Sequence, residues 1–233
     1  MTDKHRPPAT SSHEVQRFLE KVARTPAQLA SGEPGRLIFA MDATASREPS
    51  WDTACQIQAE MFKASGDLGG LLVQLCYYRG FNEFSAGQWC ASTDALLRQM
   101  TAVRCLGGHT QIGRVLAHAL AETGRNRVQA IILVGDAVEE DVDALCHQAG
   151  QLGILNLPVF VFQEGSNPTV ATAFRQIARL SGGAYAPFDA GSAAQLRQLL
   201  SAVAVFAAGG RKALENYSKQ TGGEVLRLTR QLK

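Results

Sequence analysis

Strand-length apolar runs, separated by stretches of helical periodicity, dominate this chain. Residues 37–41 (Leu-Ile-Phe-Ala-Met) and 128–134 are apolar almost throughout, and 71–79 and 158–162 are rich in apolar and aromatic residues. A continuous apolar run of four to eight residues fits a strand covered on both faces, as in the middle of a parallel sheet. Between the runs, Ala54, Ile57, Met61 and Ala64 recur at helical spacing, as do residues of 93–103, 112–123, 141–152, 169–180 and 193–207. A short strand near 83–85 and another at 184–188 complete the pattern. Strands alternating with helices of this length predict an α/β, Rossmann-like, doubly wound and mostly parallel central sheet flanked by helices.

Composition closes off several classes. The 45% hydrophobic and 19% charged residues are those of a globular protein with a sizeable core. Lys and Arg total 23 against 21 Asp and Glu, too balanced for the basic footprint that nucleic-acid binding requires. The polar, Pro-bearing residues 1–8 lack the apolar stretch of a secretory signal, and no run reaches the length of a membrane span. The five cysteines are odd in number, widely spaced and without a C-x-x-C pair, which predicts neither a disulfide framework nor a zinc knuckle. The expectation is a cytoplasmic monomer with no membrane or nucleic-acid partner.

Chemistry gathers where predicted strands and Gly-rich turns end. Asp42, Thr44 and Ser46 follow the first apolar run, Thr110 follows Gly107-Gly108, and Asp136 follows the run that ends at Val134. Carboxylate and hydroxyl oxygens are the ligands of a hard cation such as Mg²⁺, which takes a few protein oxygens and keeps its other positions for water or a partner. In a doubly wound sheet, ligands sit beyond the carboxyl ends of the strands at the switch point, where this assignment puts Asp42 and Asp136.

These residues resemble the metal-ion-dependent adhesion site of the von Willebrand factor type A (VWA) and integrin I-domain family. The family pattern is D-x-S-x-S, a distant Thr and a more distant Asp; here it is D-x-T-x-S with Thr110 and Asp136. Thr44 keeps the hydroxyl of the Ser it replaces, whereas Ala137 stands where the family usually has Gly. The resemblance covers about residues 35–207 and looks most like the stand-alone intracellular bacterial members. It implies a protein-binding adaptor module in which Asp42, Thr44, Ser46, Thr110 and Asp136 hold Mg²⁺, with Mn²⁺ as a substitute. The ion then accepts an Asp or Glu side chain of a partner, which by analogy with the family is an ATPase or chaperone. Glu48, His109 and Trp51 are candidate partner-facing residues, although Trp51 could equally pack the following helix.

Outside that region, 1–12 reads as a disordered arm and 13–31 as an extra helix capped by Ser12, with Val15, Phe18, Leu19, Val22 and Ala23 on one stripe. Residues 208–233 read as a basic tail, helical in part.

Rival chemistries fail at their reacting atoms. The stretch 108–115 nearly spells a Walker A loop, but Arg114 and Val115 stand where the phosphate-binding Lys and the Mg²⁺-holding hydroxyl belong. No G-x-G-x-x-G follows the first strand. A phosphotransferase with its nucleophile at Asp42 needs a second carboxylate where Thr44 stands, and Thr cannot carry that proton at neutral pH. Cys146 and His147 are adjacent on a predicted helix and point apart. No catalytic set is complete, so a non-enzyme is expected. Metal-assisted phosphate-ester hydrolysis at the same residues is the alternative.

Overall fold

A computed structural model of the chain describes residues 33–65, 70–188 and 193–220. The sequence-predicted arm, the 13–31 helix and the tail beyond 220 lie outside the described residues. Six strands form one sheet in the order β3-β2-β1-β4-β5-β6. They are β1 (Gly35–Asp42), β2 (Leu71–Arg79), β3 (Glu83–Cys90), β4 (Ala130–Gly135), β5 (Val159–Glu164) and β6 (Tyr185–Phe188). All neighbouring pairs are parallel except β2 with β3. The predicted doubly wound, mostly parallel architecture is the one observed.

Alternation along β1 sends its side chains into two separate cores. Leu37, Phe39 and Met41 pack on one face, Ile38 and Ala40 on the other, and all are essentially inaccessible. The first face is covered by α1 (Glu48–Ile57), α2 (Ala59–Ser65), α3 (Thr93–Thr101) and α7 (Ala193–Gln220). The second lies under α4 (Ile112–Arg125), α5 (Val142–Ile154) and α6 (Pro168–Leu180). A strand buried on both sides needs apolar residues at every position, which is why these runs were legible as strands.

Three elements differ from the sequence expectation. The single helix expected over 50–65 is two, with the junction at Gln58, where Met61 N donates to Gln58 O in an i to i+3 step. The short strand near 83–85 runs on to Cys90 as an antiparallel edge. Ala86, Gly87 and Gln88 have little strand propensity, but pairing with β2 and a bond from Gln74 Nε2 to Gly87 O (2.9 Å) carry them. Finally, the closing helix passes Ala207 and continues to Gln220 across a break at Gly210 (φ 69°), a conformation glycine adopts without steric cost. Leu214, beyond that break, is still buried in the first core.

Where β1 meets α7 there is no room for a side chain. A Cβ on Gly35 would sit 2.2 Å from Ala207 O. Gly35→Ala is therefore expected to cost about 1–3 kcal/mol as an overpacking defect, read as a lowered thermal midpoint.

Candidate metal site at the strand ends

β1 pairs with β2 on one side and β4 on the other, so the chain leaves β1 and β4 in opposite directions and opens a crevice above them. Asp42 is the last residue of β1, and Asp136 directly follows Gly135, the last residue of β4. A Cβ on Gly135 would meet the Tyr78 hydroxyl and Asp42 Cβ at ordinary contact distances, so no tight approach demands a glycine there. After Asp42 the chain turns through Thr44 into a 3₁₀ turn, Ala45–Arg47, before α1 begins. That turn carries Ser46 over the end of β4, where Ser46 Oγ donates to Asp136 Oδ2 at 3.2 Å and lies 3.4 Å from Thr44 Oγ1.

Thr110 arrives from a third direction. His109 N donates to Gly80 O (3.0 Å) and Leu106 N to Ala43 O (3.0 Å), pinning the Gly-rich segment between the β2–β3 turn and the metal loop. Thr110 itself is locked to the segment after Asp136 by a reciprocal pair. Its N donates to Glu139 Oε2 (2.8 Å), and Glu139 N donates to Thr110 Oγ1 (2.9 Å). The result is a pocket of about 260 Å³ lined by Asp42, Thr44, Ser46, Thr110 and Asp136 together with Glu139. All five residues of the sequence pattern thus share one cavity.

Asp42 shows what the pocket lacks a partner for. It is 1% exposed; its Oδ1 accepts from Thr44 N (2.7 Å), but its buried Oδ2 has no hydrogen-bond partner. Burial pushes its pKa up, with the Asp136 charge adding to the rise, while the Thr44 hydrogen bonds and the Arg47 charge oppose it. An orphaned buried carboxylate oxygen is costly unless a cation or donor completes it. The donors, two carboxylates and three hydroxyls with no sulfur or imidazole, suit a hard divalent ion. Among the described residues no group of three or more His, Cys, Asp and Glu gathers at this pocket or elsewhere, so an ion here would depend on the hydroxyls as well as the carboxylates.

The partner-facing candidates separate. His109 stays at the rim, with Nδ1 3.3 Å from Glu139 Oε2 and its ring edge-on to the exposed Phe81 at 5.2 Å. Phe81 is 78% exposed and forms part of that outer surface. Glu48 is exposed at the start of α1 but does not line the pocket. Trp51 is corrected: it is 3% exposed, donates Nε1 to Met100 O (3.0 Å) and stacks edge-on against Tyr77, so it packs the helix and offers nothing to a partner.

Four charged residues that sequence reasoning left out shape the site. Arg47, 1% exposed, pairs with Glu164 at the end of β5, and its Nη1 lies 3.7 Å from Asp136 Oδ2. Glu139 binds Thr110 as described; the Thr110 N–H is the main reason its carboxyl is held below the usual range. Glu140 accepts from Ile112 N and Gly113 N (2.7 Å each), so a carboxylate already takes the helix-start amides that a phosphate loop would offer. Of the acidic residues before α5, Asp141 caps that helix by accepting from Ala144 N, while Glu139 and Glu140 serve the neighbouring segment. Nor is there an activated thiol: burial drives Cys55 and Cys105 up to about 11 and Cys76 to about 12. Among the described residues no helix is long and apolar enough to cross a membrane.

No protein-family model matches the chain, and no curated protein matches it. Solved structures do. The chain is similar to a von Willebrand factor type A protein from Catenulispora acidiphila (TM-score 0.59, 19% identity), covering 72% of this chain and 42% of that one. It is also similar to proximal thread matrix protein 1 from the mussel byssus with a zinc-occupied MIDAS motif (TM-score 0.59, 14% identity; 74% and 46% covered). A third likeness is to the SpRpn10 VWA domain (TM-score 0.55, 13% identity; 76% and 97% covered). The chain therefore spans less than half the length of the first two and nearly all of the third. Its fold, a mostly parallel sheet with Asp42 and Asp136 at the switch point, is that of a von Willebrand factor type A domain.

Proposed function

We propose that this domain is a metal-dependent protein-binding module, in which a single Mg²⁺ held over β1 and β4 captures an acidic side chain of a partner protein without chemical turnover. The observation that carries this reading is the buried, unpartnered Oδ2 of Asp42 in a pocket whose other polar lining is three hydroxyls and the carboxylates of Asp136 and Glu139. Thr44, Ser46 and Thr110 offer hydroxyl oxygens, and Asp42 and Asp136 act directly or through coordinated water. When bound, the ion supplies positive charge at a surface opening. The charges of Asp42 and Asp136 would balance a divalent ion, and a carboxylate of the partner would complete its binding. The zinc-occupied motif of the mussel protein, on the same fold, supports a divalent ion here.

The test pairs two assays on the purified chain. A pull-down with Mg²⁺ is expected to recover a protein partner that is lost when chelator is added and regained when Mg²⁺ is restored. A generic phosphate ester incubated with Mg²⁺ or Mn²⁺ is expected to stay intact. Turnover that disappears in Asp42→Ala would replace this reading with a metal-assisted hydrolase. Capture indifferent to chelator would remove the metal from the function.

A further inference from the structure

Behind the metal loop lies an ion pair that the binding function just proposed does not use. Arg47 directly follows Ser46, so the 3₁₀ turn that places one metal-side hydroxyl also fixes a guanidinium under the site. Its side chain is only 2% exposed, and its Nη2 is engaged by Glu164 Oε2, an oxygen that also accepts from Ser50 Oγ. Its Nη1 stops 3.7 Å from Asp136 Oδ2, beyond hydrogen-bond range, while that same oxygen accepts from Ser46. A buried cation thus stands between two carboxylates, in an ion pair with the one away from the metal pocket and farther from the one that lines it.

We infer that Glu164 is a positioning residue that sets the metal affinity of the site, by holding the Arg47 guanidinium off Asp136 and cancelling its charge. The charges around Arg47 show what such a device does. Asp42, Asp136 and Glu164 carry three negative charges against its one positive, and Glu139, which also lines the pocket, adds a further carboxylate. Without the Glu164 charge the cluster meets the ion with one negative charge fewer. Arg47 is then free to close the short remaining distance and become the counter-ion of Asp136. The guanidinium would occupy, electrostatically, the place of the metal. In a site this buried such a charge is only weakly screened.

The inference rests on the metal-binding reading, and one set of titrations separates the two. Mg²⁺ and Mn²⁺ affinities are measured by calorimetry for the wild type, Glu164→Gln, Arg47→Gln and the double variant, with metal-free thermal midpoints and circular dichroism alongside. Glu164→Gln preserves shape and can still hydrogen-bond Ser50, and it is expected to bind metal about tenfold more weakly, the scale of one added unit charge close to the ion. The double variant, which removes both charges, is expected to return to within about threefold of the wild type. Arg47→Gln alone, leaving three uncompensated carboxylates, is expected to bind metal more tightly and to show a larger metal-induced rise in its thermal midpoint.

A pair that merely braced the loop would behave differently: each single variant would bind more weakly, and the double variant would not recover. That pattern, or wild-type affinity in Glu164→Gln, overturns the inference and leaves the metal site standing. Should Glu164→Gln fail to fold, the sign of the change in Arg47→Gln decides, weaker binding being the overturning result. A wild type that binds neither ion overturns both readings.

Discussion

Asp42→Ala is expected to abolish Mg²⁺ binding and partner capture while the fold persists. Asp42 is the last residue of the central strand, and its neighbours Met41 and Ala43 are anchored in the core independently of it. The loss of affinity is expected to exceed about 100-fold, because removing even an outer-shell partner of a metal ligand costs 10–100-fold. The isosteric Asp42→Asn should lose metal to a similar degree. Without metal it should also be more stable than the wild type near neutral pH, because an ionised carboxylate with one buried, unpartnered oxygen carries a desolvation cost of about 1–3 kcal/mol. The sign follows from linkage. Burial raises the Asp42 pKa in the folded state, so its favourable contribution is complete below the unfolded value of 3.8 and is lost as pH rises through the folded value. Thermal melts in chelator across this range should therefore show the gap between Asp42→Asn and wild type opening as pH rises, and saturating Mg²⁺ should reverse the ranking. Calorimetry showing unchanged Mg²⁺ affinity in Asp42→Ala would contradict the assignment.

The parts legible in the sequence are those whose cause is local. Strands β1 and β4 declared themselves because burial on both faces demands unbroken apolar runs, and the residues that end those runs, Asp42 and Asp136, were placed with them. Thr110 was legible through Gly107-Gly108, a backbone feature written in the sequence. Trp51 was ambiguous because position near Ser46 cannot distinguish the face of a helix that meets the core from the face that meets solvent. The Arg47–Glu164 pair joins residues whose proximity exists only once β5 is laid beside β4. Neither residue has a neighbour in sequence that announces the other. The same holds for Glu139 and Glu140, whose acidity before a helix has an adequate local explanation that the fold then sets aside. Side chains that line the pocket at the strand ends could be read from pattern, whereas the charged ones packed around it required the sheet order.

The two adjacent glycines before Thr110 give a sharp contrast, and Gly108→Ala is expected to damage both stability and metal binding while Gly107→Ala does neither. A Cβ on Gly107 meets nothing within 4 Å. A Cβ on Gly108 would lie 2.0 Å from Gly80 O and 2.4 Å from Gly80 Cα, backbone atoms that cannot swing aside as a side-chain end could. The 107–110 segment must then lift away from the β2–β3 turn, straining the bond from His109 N to Gly80 O and the contact of Gln111 Nε2 with Arg79 O. Overpacking of this kind costs about 1–3 kcal/mol. Thr110 moves with the segment against the Glu139 pair that holds it to the chain after Asp136. Displacing one of five oxygen donors is expected to weaken Mg²⁺ binding by about 10–100-fold, the range found when the support of a metal ligand is disturbed. Denaturant melts and Mg²⁺ titrations of the two alanine variants, compared with Thr110→Ala, check this. If Gly108→Ala is destabilised but binds metal like the wild type, Thr110 is not held to the ion through this turn. If Thr110→Ala also binds normally, its hydroxyl serves only the Glu139 lock.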